Sequence, residues 1–430
     1  MSRYSYFDSE FPEVTVSASF DTKRFGELEL VGTLMDYRNQ KKDFWDKIGI
    51  GGSITSAAAF WNGKILFGAC DRNFYCLNEK GKELWRFSTG GVINCEASVH
   101  DGIVFFGSQD RNVYAVDCAS GKLKWKFTTG DIVPGTFLIK DGLVFAVSYD
   151  GNVYAIEEET GKEAWRITTP FAQTCVFEKD GILFFGYRGG IFYAYDIQLR
   201  KHLWEFKESY REISIWNGCF WGENVYIGSF DGNVFALERR TGKVQWRFPV
   251  ADFAYAPSAG PDGIYFGSRD LNVYKLDPKT GRMIWKFYAG GIAVPIESEG
   301  KAYFGSYSNN VYCLDSVTGK QIWSFKTNGF VTFVRVSEGR LYAGSWDCNM
   351  YCLDAETGEL IWKFRTSMGT PAMLEPPESV SSGERVVLHL PEKKEDLIFS
   401  ISQQSSNYGQ IEIDYAATGK NYLKRKGDYV

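Results

Sequence analysis

Residue types that could do chemistry are scattered through this chain of 430 residues. Its three histidines, His100, His202 and His389, lie far apart and in different sequence contexts. Catalytic dyads and metal sites need such side chains to converge, and no glycine-rich phosphate loop leads into a helix. We therefore predict no catalytic residue, no bound cofactor and no metal.

Six short turns combine aspartate with asparagine and raise the question of calcium. Ca²⁺ needs about six to eight oxygen ligands around one point, whereas these pairs stand in separate sequence repeats. Asp and Asn in turns commonly hydrogen-bond their own backbone, so we expect a structural role. The pairs are Asp71/Asn73, Asp110/Asn112, Asp150/Asn152, Asp231/Asn233, Asp270/Asn272 and Asp347/Asn349.

Composition limits the classes of protein to which the chain can belong. The net charge of −5 argues against nucleic-acid binding, which requires clustered Lys and Arg. No apolar run is long enough to span a membrane, and the N-terminus lacks the apolar region of a signal peptide. The nine cysteines form no CxxC pair and are expected to be free thiols. Together these features predict a cytoplasmic protein.

Tryptophan marks a repeat of about forty residues. Each module contains four short runs rich in Val, Ile, Phe and Tyr, separated by Gly, Asp and Asn turns. Such a module is a four-stranded antiparallel sheet that must stack on its neighbours to bury both faces. The chain is therefore predicted to be all-β, an eight-bladed β-propeller. The repeated tryptophans are Trp85, Trp125, Trp165, Trp204, Trp246, Trp285, Trp323 and Trp362.

The position of these tryptophans predicts their role. Each lies on the outermost strand of its module, where it should pack against the next blade and donate its indole N–H to a backbone carbonyl. Regular spacing favours this packing role over a ligand platform.

The predicted propeller occupies residues 52–370 and is flanked by extra strands. Residues 1–51 form an N-terminal β extension in which Trp45 keeps the register of a degenerate half-repeat. Residues 371–430 combine a linker with a C-terminal β extension. The two extensions could pair with each other, cover the edges of the terminal blades or reach for a partner.

Three segments carry a family resemblance. NVYAVDCASGKLKWKF (112–127), NVFALERRTGKVQWRF (233–248) and NVYKLDPKTGRMIWKF (272–287) resemble the pyrroloquinoline-quinone (PQQ) type of propeller repeat. WD40 repeats are similar, but here each of the eight repeat tryptophans is followed by Arg, Lys, Glu or Ser rather than Asp, and no Gly–His dipeptide occurs.

The family includes quinoprotein dehydrogenases and scaffolds without cofactor. This chain lacks the vicinal cysteine pair and the haem motif of the enzymes, so it is more similar to the scaffolds.

A few residues could line the central channel or contact a partner. The innermost strands are predicted to place Glu96, Gln173, Trp216 and Asn217 there, among mostly neutral or apolar neighbours. A single carboxylate does not make an active site. Trp346, in the turn SWDCN, is predicted to be exposed, and exposed tryptophan is typical of binding hot spots.

The sequence thus predicts a non-enzymatic propeller that binds other proteins as a scaffold or complex subunit. One alternative is a propeller that binds a small molecule or carbohydrate in its channel, either as a binding protein or as an enzyme. A PQQ-dependent dehydrogenase is the more distant alternative.

Overall fold

The structure is a computed structural model that describes residues 52–170, 173–187, 191–207 and 217–366. It also describes four strand segments nearer the ends of the chain. Two compact units can be distinguished. One is formed by Met1–Gln40 with Ala372–Val430, and the other by Lys41–Pro371.

The larger unit consists of eight four-stranded antiparallel sheets, so the predicted eight-bladed propeller is confirmed. The four strands of every blade are consecutive in the chain, and each pairs with the next. Numbered along the chain, the strands begin with β1 (Thr15–Ala18) and β2 (Leu28–Glu29) of the smaller unit.

Blades 1 to 4 contain β3 (Ala59–Trp61), β4 (Lys64–Gly68), β5 (Asn73–Leu77), β6 (Glu83–Ser88); β7 (Ser98–His100), β8 (Ile103–Gly107), β9 (Asn112–Asp117), β10 (Leu123–Thr128); β11 (Leu138–Lys140), β12 (Leu143–Val147), β13 (Asn152–Glu157), β14 (Glu163–Thr168); β15 (Gln173–Lys179), β16 (Ile182–Tyr187), β17 (Phe192–Asp196) and β18 (Lys201–Phe206). Blades 5 to 8 contain β19 (Gly218–Trp221), β20 (Asn224–Ser229), β21 (Asn233–Glu238), β22 (Val244–Pro249); β23 (Ser258–Ala259), β24 (Ile264–Gly267), β25 (Asn272–Leu276), β26 (Met283–Tyr288); β27 (Ile296–Ser298), β28 (Lys301–Ser306), β29 (Asn310–Asp315), β30 (Gln321–Lys326); β31 (Val331–Ser337), β32 (Arg340–Ser345), β33 (Asn349–Asp354) and β34 (Leu360–Arg365).

Local turn chemistry sets the hairpins. In blade 2 the first hairpin turns at Asp101 and Gly102, which have φ values of 44° and 75°. Two successive positive φ angles are the signature of a type I′ turn, whose twist matches that of the flanking strands. Because Asp and Gly tolerate this conformation at low cost, the sequence HDG specifies the hairpin locally.

Burial follows the order of the strands within a blade. The second and third strands are almost fully buried, as in β8 and β9, whereas the fourth strand alternates between exposed and covered residues. Each hydrophobic cluster combines side chains of neighbouring blades, so the core lies between the sheets. This arrangement is typical of sheets that cannot bury both faces alone.

The ring closes between blade 8 and blade 1. Ile54 N–H donates to the carbonyl of Ser345 at 3.1 Å. The Thr366 hydroxyl donates to the carbonyl of Gly52 at 2.6 Å. Apolar residues of both blades, including Phe67 and Met350, share one cluster. Closure therefore uses the same kind of packing as the other interfaces, and no described strand is exchanged between blades 8 and 1.

The smaller unit contains strands from both ends of the chain. Strand β1 pairs with β36 (Leu397–Ser400), and β2 pairs with β35 (Val387–Leu388), both antiparallel. Within the part of the chain that the structure describes, there is no helix long and apolar enough to cross a membrane.

Candidate functional site

Seven of the repeated tryptophans hydrogen-bond to the next blade, and we call each of these interblade contacts a tryptophan lock. Trp285 lies on the fourth strand of blade 6 and donates Nε1–H to the carbonyl of Ser316 in blade 7 at 2.9 Å. A contact of the same kind joins the last blade to the first, because Trp362 of blade 8 donates Nε1–H to the carbonyl of Glu79 in blade 1. Equivalent bonds join Trp85 to Cys118, Trp125 to Glu158, Trp204 to Arg239, Trp246 to Pro278 and Trp323 to Ala355.

A glycine in the next blade receives each of these seven rings. Gly281, for example, has φ +69°, and a Cβ built on it would lie 2.6 Å from Cδ2 of Trp246. Two constraints therefore favour glycine at this position. The positive φ angle strains any other residue, and the indole ring leaves no space for a side chain. The seven glycines are Gly81, Gly121, Gly161, Gly242, Gly281, Gly319 and Gly358.

The interface between blades 3 and 4 differs. Blade 4 has Arg200, with φ 51°, in the corresponding turn. Its guanidinium carbon lies 5.3 Å from the centroid of the Trp165 ring, which also stacks on Tyr195. A cation–π contact therefore occurs where the other blades bring glycine against the ring.

The Asp/Asn turns are held by protein donors. Asp110 Oδ1 accepts the Asn112 N–H at 3.1 Å. Its Oδ2 accepts the Tyr114 hydroxyl at 2.7 Å and the Gly90 N–H of the preceding blade at 2.8 Å. Burial and the hydrogen bond to Asp110 raise the pKa of Tyr114, so the phenol stays protonated as a donor. The carboxylate thus joins its own turn to the neighbouring blade.

This network has a sequence signal that the Asp/Asn pattern alone misses. A tyrosine four residues after the aspartate donates to it in blades 1, 2, 3, 6 and 8. In blade 5 Phe235 occupies that position, and Asp231 Oδ1 is buried without a hydrogen-bond partner.

Neither metal ligands nor reactive thiols gather in the described part of the chain. No group of three or more His, Cys, Asp or Glu residues is close enough there to hold a metal ion. All nine cysteines are free, and burial raises the pKa of the Cys95 thiol to about 12. Thiols with such a pKa remain protonated at neutral pH and are poor nucleophiles.

An ion pair joins the first strand of blade 8 to the segment that leads into the first strand of blade 2. Arg335 Nη2 of blade 8 lies 3.0 and 3.1 Å from the two carboxylate oxygens of Glu96 in blade 2. Blade 1 lies between these blades and carries the small residues Ala57 and Ala59 in and just before its first strand. This contact across blade 1 indicates that the first strands face the central channel, and the positive charge of Arg335 balances the negative charge of the Glu96 carboxylate.

The other predicted channel residues are not brought together. Asn217 is half-buried, and its Oδ1 accepts the N–H of the adjacent Gly218 at 2.9 Å. Gln173 begins a strand, but its side chain lies outside the described residues, as does the whole of Trp216. The role of these residues stays a prediction.

Trp346 corrects an expectation. The sequence predicted an exposed side chain, but only 9 % of Trp346 is exposed. Its Nε1–H donates to the Thr332 hydroxyl at 3.1 Å, and its ring packs against Tyr307 and Phe330. A turn position was misleading because two neighbouring loops cover the ring.

The partners of Trp346 form an aromatic cluster on one face of the propeller. We call this side of the propeller the mouth face; it carries the loops between consecutive blades and the turns between the second and third strands of each blade. Tyr307 and Phe330 come from different loops and stack with centroids 4.8 Å apart and planes 3° apart. Both are half-buried. A backbone hydrogen bond from Trp346 to Phe330 anchors the second loop.

A second cluster lies on the same face at blades 5 and 6. Phe230 stacks on Phe253 with a centroid distance of 4.6 Å, and Tyr255 meets Phe230 edge-on. The exposed Arg269 guanidinium carbon lies 5.1 Å from the Phe253 centroid. The equivalents of Phe230 are Cys70 and Gln109 in blades 1 and 2, and they are aromatic in blades 3, 7 and 8, namely Tyr149, Tyr307 and Trp346.

Comparison with known proteins agrees with this architecture. The sequence profile of a family described as outer membrane protein assembly factor BamB matches residues 70–180 and 269–429. The chain belongs to this family of PQQ-like β-propellers. A comparison with curated proteins yields no match.

Two solved structures are similar in fold. BamB from Moraxella catarrhalis is 18 % identical, with a TM-score of 0.60, and the match covers 68 % of this chain and 94 % of that one. The computationally designed Ika8 protein is 17 % identical, with a TM-score of 0.62 and coverage of 74 % and 97 %. At these identities the likeness concerns the fold alone.

Proposed function

We propose that this chain is a non-enzymatic β-propeller that binds other proteins as a subunit of a multiprotein complex. The observation that carries the proposal is the mouth face, where half-buried aromatic side chains stand on loops fixed by backbone hydrogen bonds. Rigid aromatic groups contribute a large contact area at low entropic cost, and they are enriched at binding hot spots.

The titratable groups of the described residues support this proposal. Glu96 pairs with Arg335, and the turn carboxylates accept bonds from tyrosines and backbone amides. A general acid or base must instead be free to exchange a proton with a substrate. Membership of a family described as an assembly factor favours the same conclusion.

Native mass spectrometry of the full chain purified gently from its host tests the proposal. We expect a stoichiometric protein partner. Replacing Tyr307 and Phe330 with alanine should release that partner, whereas Val317→Ala, an exposed apolar change on the opposite face, should not. A chain carrying only a small added mass would contradict the proposal and favour a ligand in the channel.

The cytoplasmic location forms part of the same proposal. Nine free cysteines, eight of them buried, suit a reducing compartment. Trapping the thiols with an alkylating reagent in separated cell fractions should find the chain reduced and cytoplasmic. Recovery with the envelope fraction would contradict this location.

A further inference from the structure

Among the strands that the structure describes, the fourth strand at the outer edge of each blade pairs only with the third strand. Unpaired edges invite pairing with another chain, and natural sheets block this with charged side chains on the edge. The residue after the repeated tryptophan is exposed on the fourth strand of all eight blades. In seven blades this residue is charged, namely Arg86, Lys126, Arg166, Glu205, Arg247, Lys286 and Lys363.

Blade 7 is the exception. Its fourth strand, β30, has Ser324 at this position, and the preceding exposed position holds Ile322, which is 47 % exposed. The blade 7 edge, residues Gln321–Lys326, therefore presents an uncharged stretch from Gln321 to Phe325, and no further strand among the described residues pairs with it.

Basic residues surround this uncharged stretch. Lys320 and Lys326 lie at its two ends and are exposed. Lys286 and Lys363 occupy the outer strands of the two neighbouring blades and are also exposed. Lys320 has a basic counterpart in six other blades, so the outer edges are basic although the chain as a whole carries a net charge of −5. This setting selects for negative charge in a partner.

We propose that the blade 7 edge binds an extended segment of a partner protein as a fifth strand. The segment has β-branched or small residues in its centre and acidic residues at both ends. Main-chain hydrogen bonds would supply affinity, and the side chains along the edge would supply specificity. This inference rests on the proposed scaffold function and adds a second surface, separate from the mouth face.

A second copy of the chain fits this edge poorly. Two blade 7 edges paired about a twofold axis would bring lysines from both copies together, and like charges across a strand pair are destabilising. Acidic ends on the incoming strand would instead place opposite charges beside Lys320 and Lys326 in either strand direction.

The test uses the full-length protein and a synthetic acidic nonapeptide with alternating valine and threonine between pairs of glutamates. Fluorescence anisotropy measures binding, and hydrogen exchange locates it. We expect new amide protection within Gln321–Lys326. A peptide with lysine in place of glutamate should bind at least ten times more weakly.

Substitutions complete the test. Ile322→Glu combined with Ser324→Glu should weaken binding of the acidic peptide at least tenfold. Ala164→Glu, at the position in blade 3 that corresponds to Ile322, should leave it unchanged. Thermal unfolding of all variants checks that the fold is intact. Equal affinity for both peptides, protection elsewhere, or no binding at millimolar peptide would overturn the assignment.

The two proposals can fail separately. A host complex that survives the Ile322→Glu/Ser324→Glu exchange while the peptide fails to bind would exclude the blade 7 edge and keep the scaffold function. A wild-type chain that carries no protein partner from its host would contradict the scaffold function, whatever the peptide does.

Discussion

Replacement of Gly281 tests the tryptophan lock between blades 5 and 6, in which the Trp246 ring packs on this glycine. Replacing it with alanine forces a non-glycine residue to φ +69° and places Cβ 2.6 Å from Cδ2 of Trp246. The backbone term costs about 1–2 kcal/mol. Displacing the packed ring adds about 1–3 kcal/mol. We therefore expect Gly281→Ala to lower the free energy of unfolding by about 2–5 kcal/mol.

Gly300 is the matched control for this substitution. It has φ +76°, and a Cβ built there meets nothing within 4 Å. Gly300→Ala should therefore show only the backbone term of about 1–2 kcal/mol. The difference between the two variants measures the contact with the tryptophan ring.

Equilibrium unfolding in urea, followed by tryptophan fluorescence and circular dichroism, measures both variants. A double-mutant cycle sharpens the result, because Trp246→Leu should bring the cost of Gly281→Ala down to that of Gly300→Ala. Equal costs for the two alanine variants in the wild-type background would refute the reasoning, since the indole ring would then impose no constraint.

Three further predictions concern polar contacts. Asp110→Asn should destabilise the fold by about 1–3 kcal/mol, because Asp110 accepts hydrogen bonds from Tyr114 and Gly90. Asp231→Asn should be neutral or stabilising in the same urea assay, because Asp231 Oδ1 is buried without a hydrogen-bond partner, and a similar loss of stability at both sites would contradict this. Glu158 accepts a hydrogen bond from His100 and, with a smaller contribution from Asp101, raises the pKa of His100, so this contact should stabilise the fold below about pH 6.5 and lose its effect as pH rises through the raised pKa. In Glu158→Gln, an NMR titration should show the His100 pKa returning toward its ordinary value, and an unchanged pKa would exclude Glu158 as the cause. For Glu96 and Arg335, a cycle of Glu96→Gln and Arg335→Gln should give a coupling of about 1 kcal/mol in thermal unfolding, and additive effects would show that the pair contributes nothing.

The fold could be predicted from the sequence because residues close together in the chain specify both the repeat and its hairpins. Trp85 and its seven counterparts mark the period, and turns such as Asp101–Gly102 specify hairpins within a few residues. A four-stranded blade needs no distant partner strand. The number of blades and the order of strands therefore follow from the repeat.

The channel and the mouth could not be predicted in the same way. Glu96 meets Arg335, a residue 239 positions away, and the two come together only when the ring closes. Trp346 is covered by Tyr307 and Phe330 from other loops. Such contacts depend on where blades stand around the ring, which the repeat pattern does not encode.

Closure of the ring by ordinary interblade packing has a thermodynamic consequence. An open stack of eight identical repeats would have seven contacts between neighbours and two end repeats with one neighbour each. A ring has an eighth contact and no end repeat, so every blade is held from both sides. A junction weakened by mutation then frees no blade, because separation requires a second junction to break at the same time.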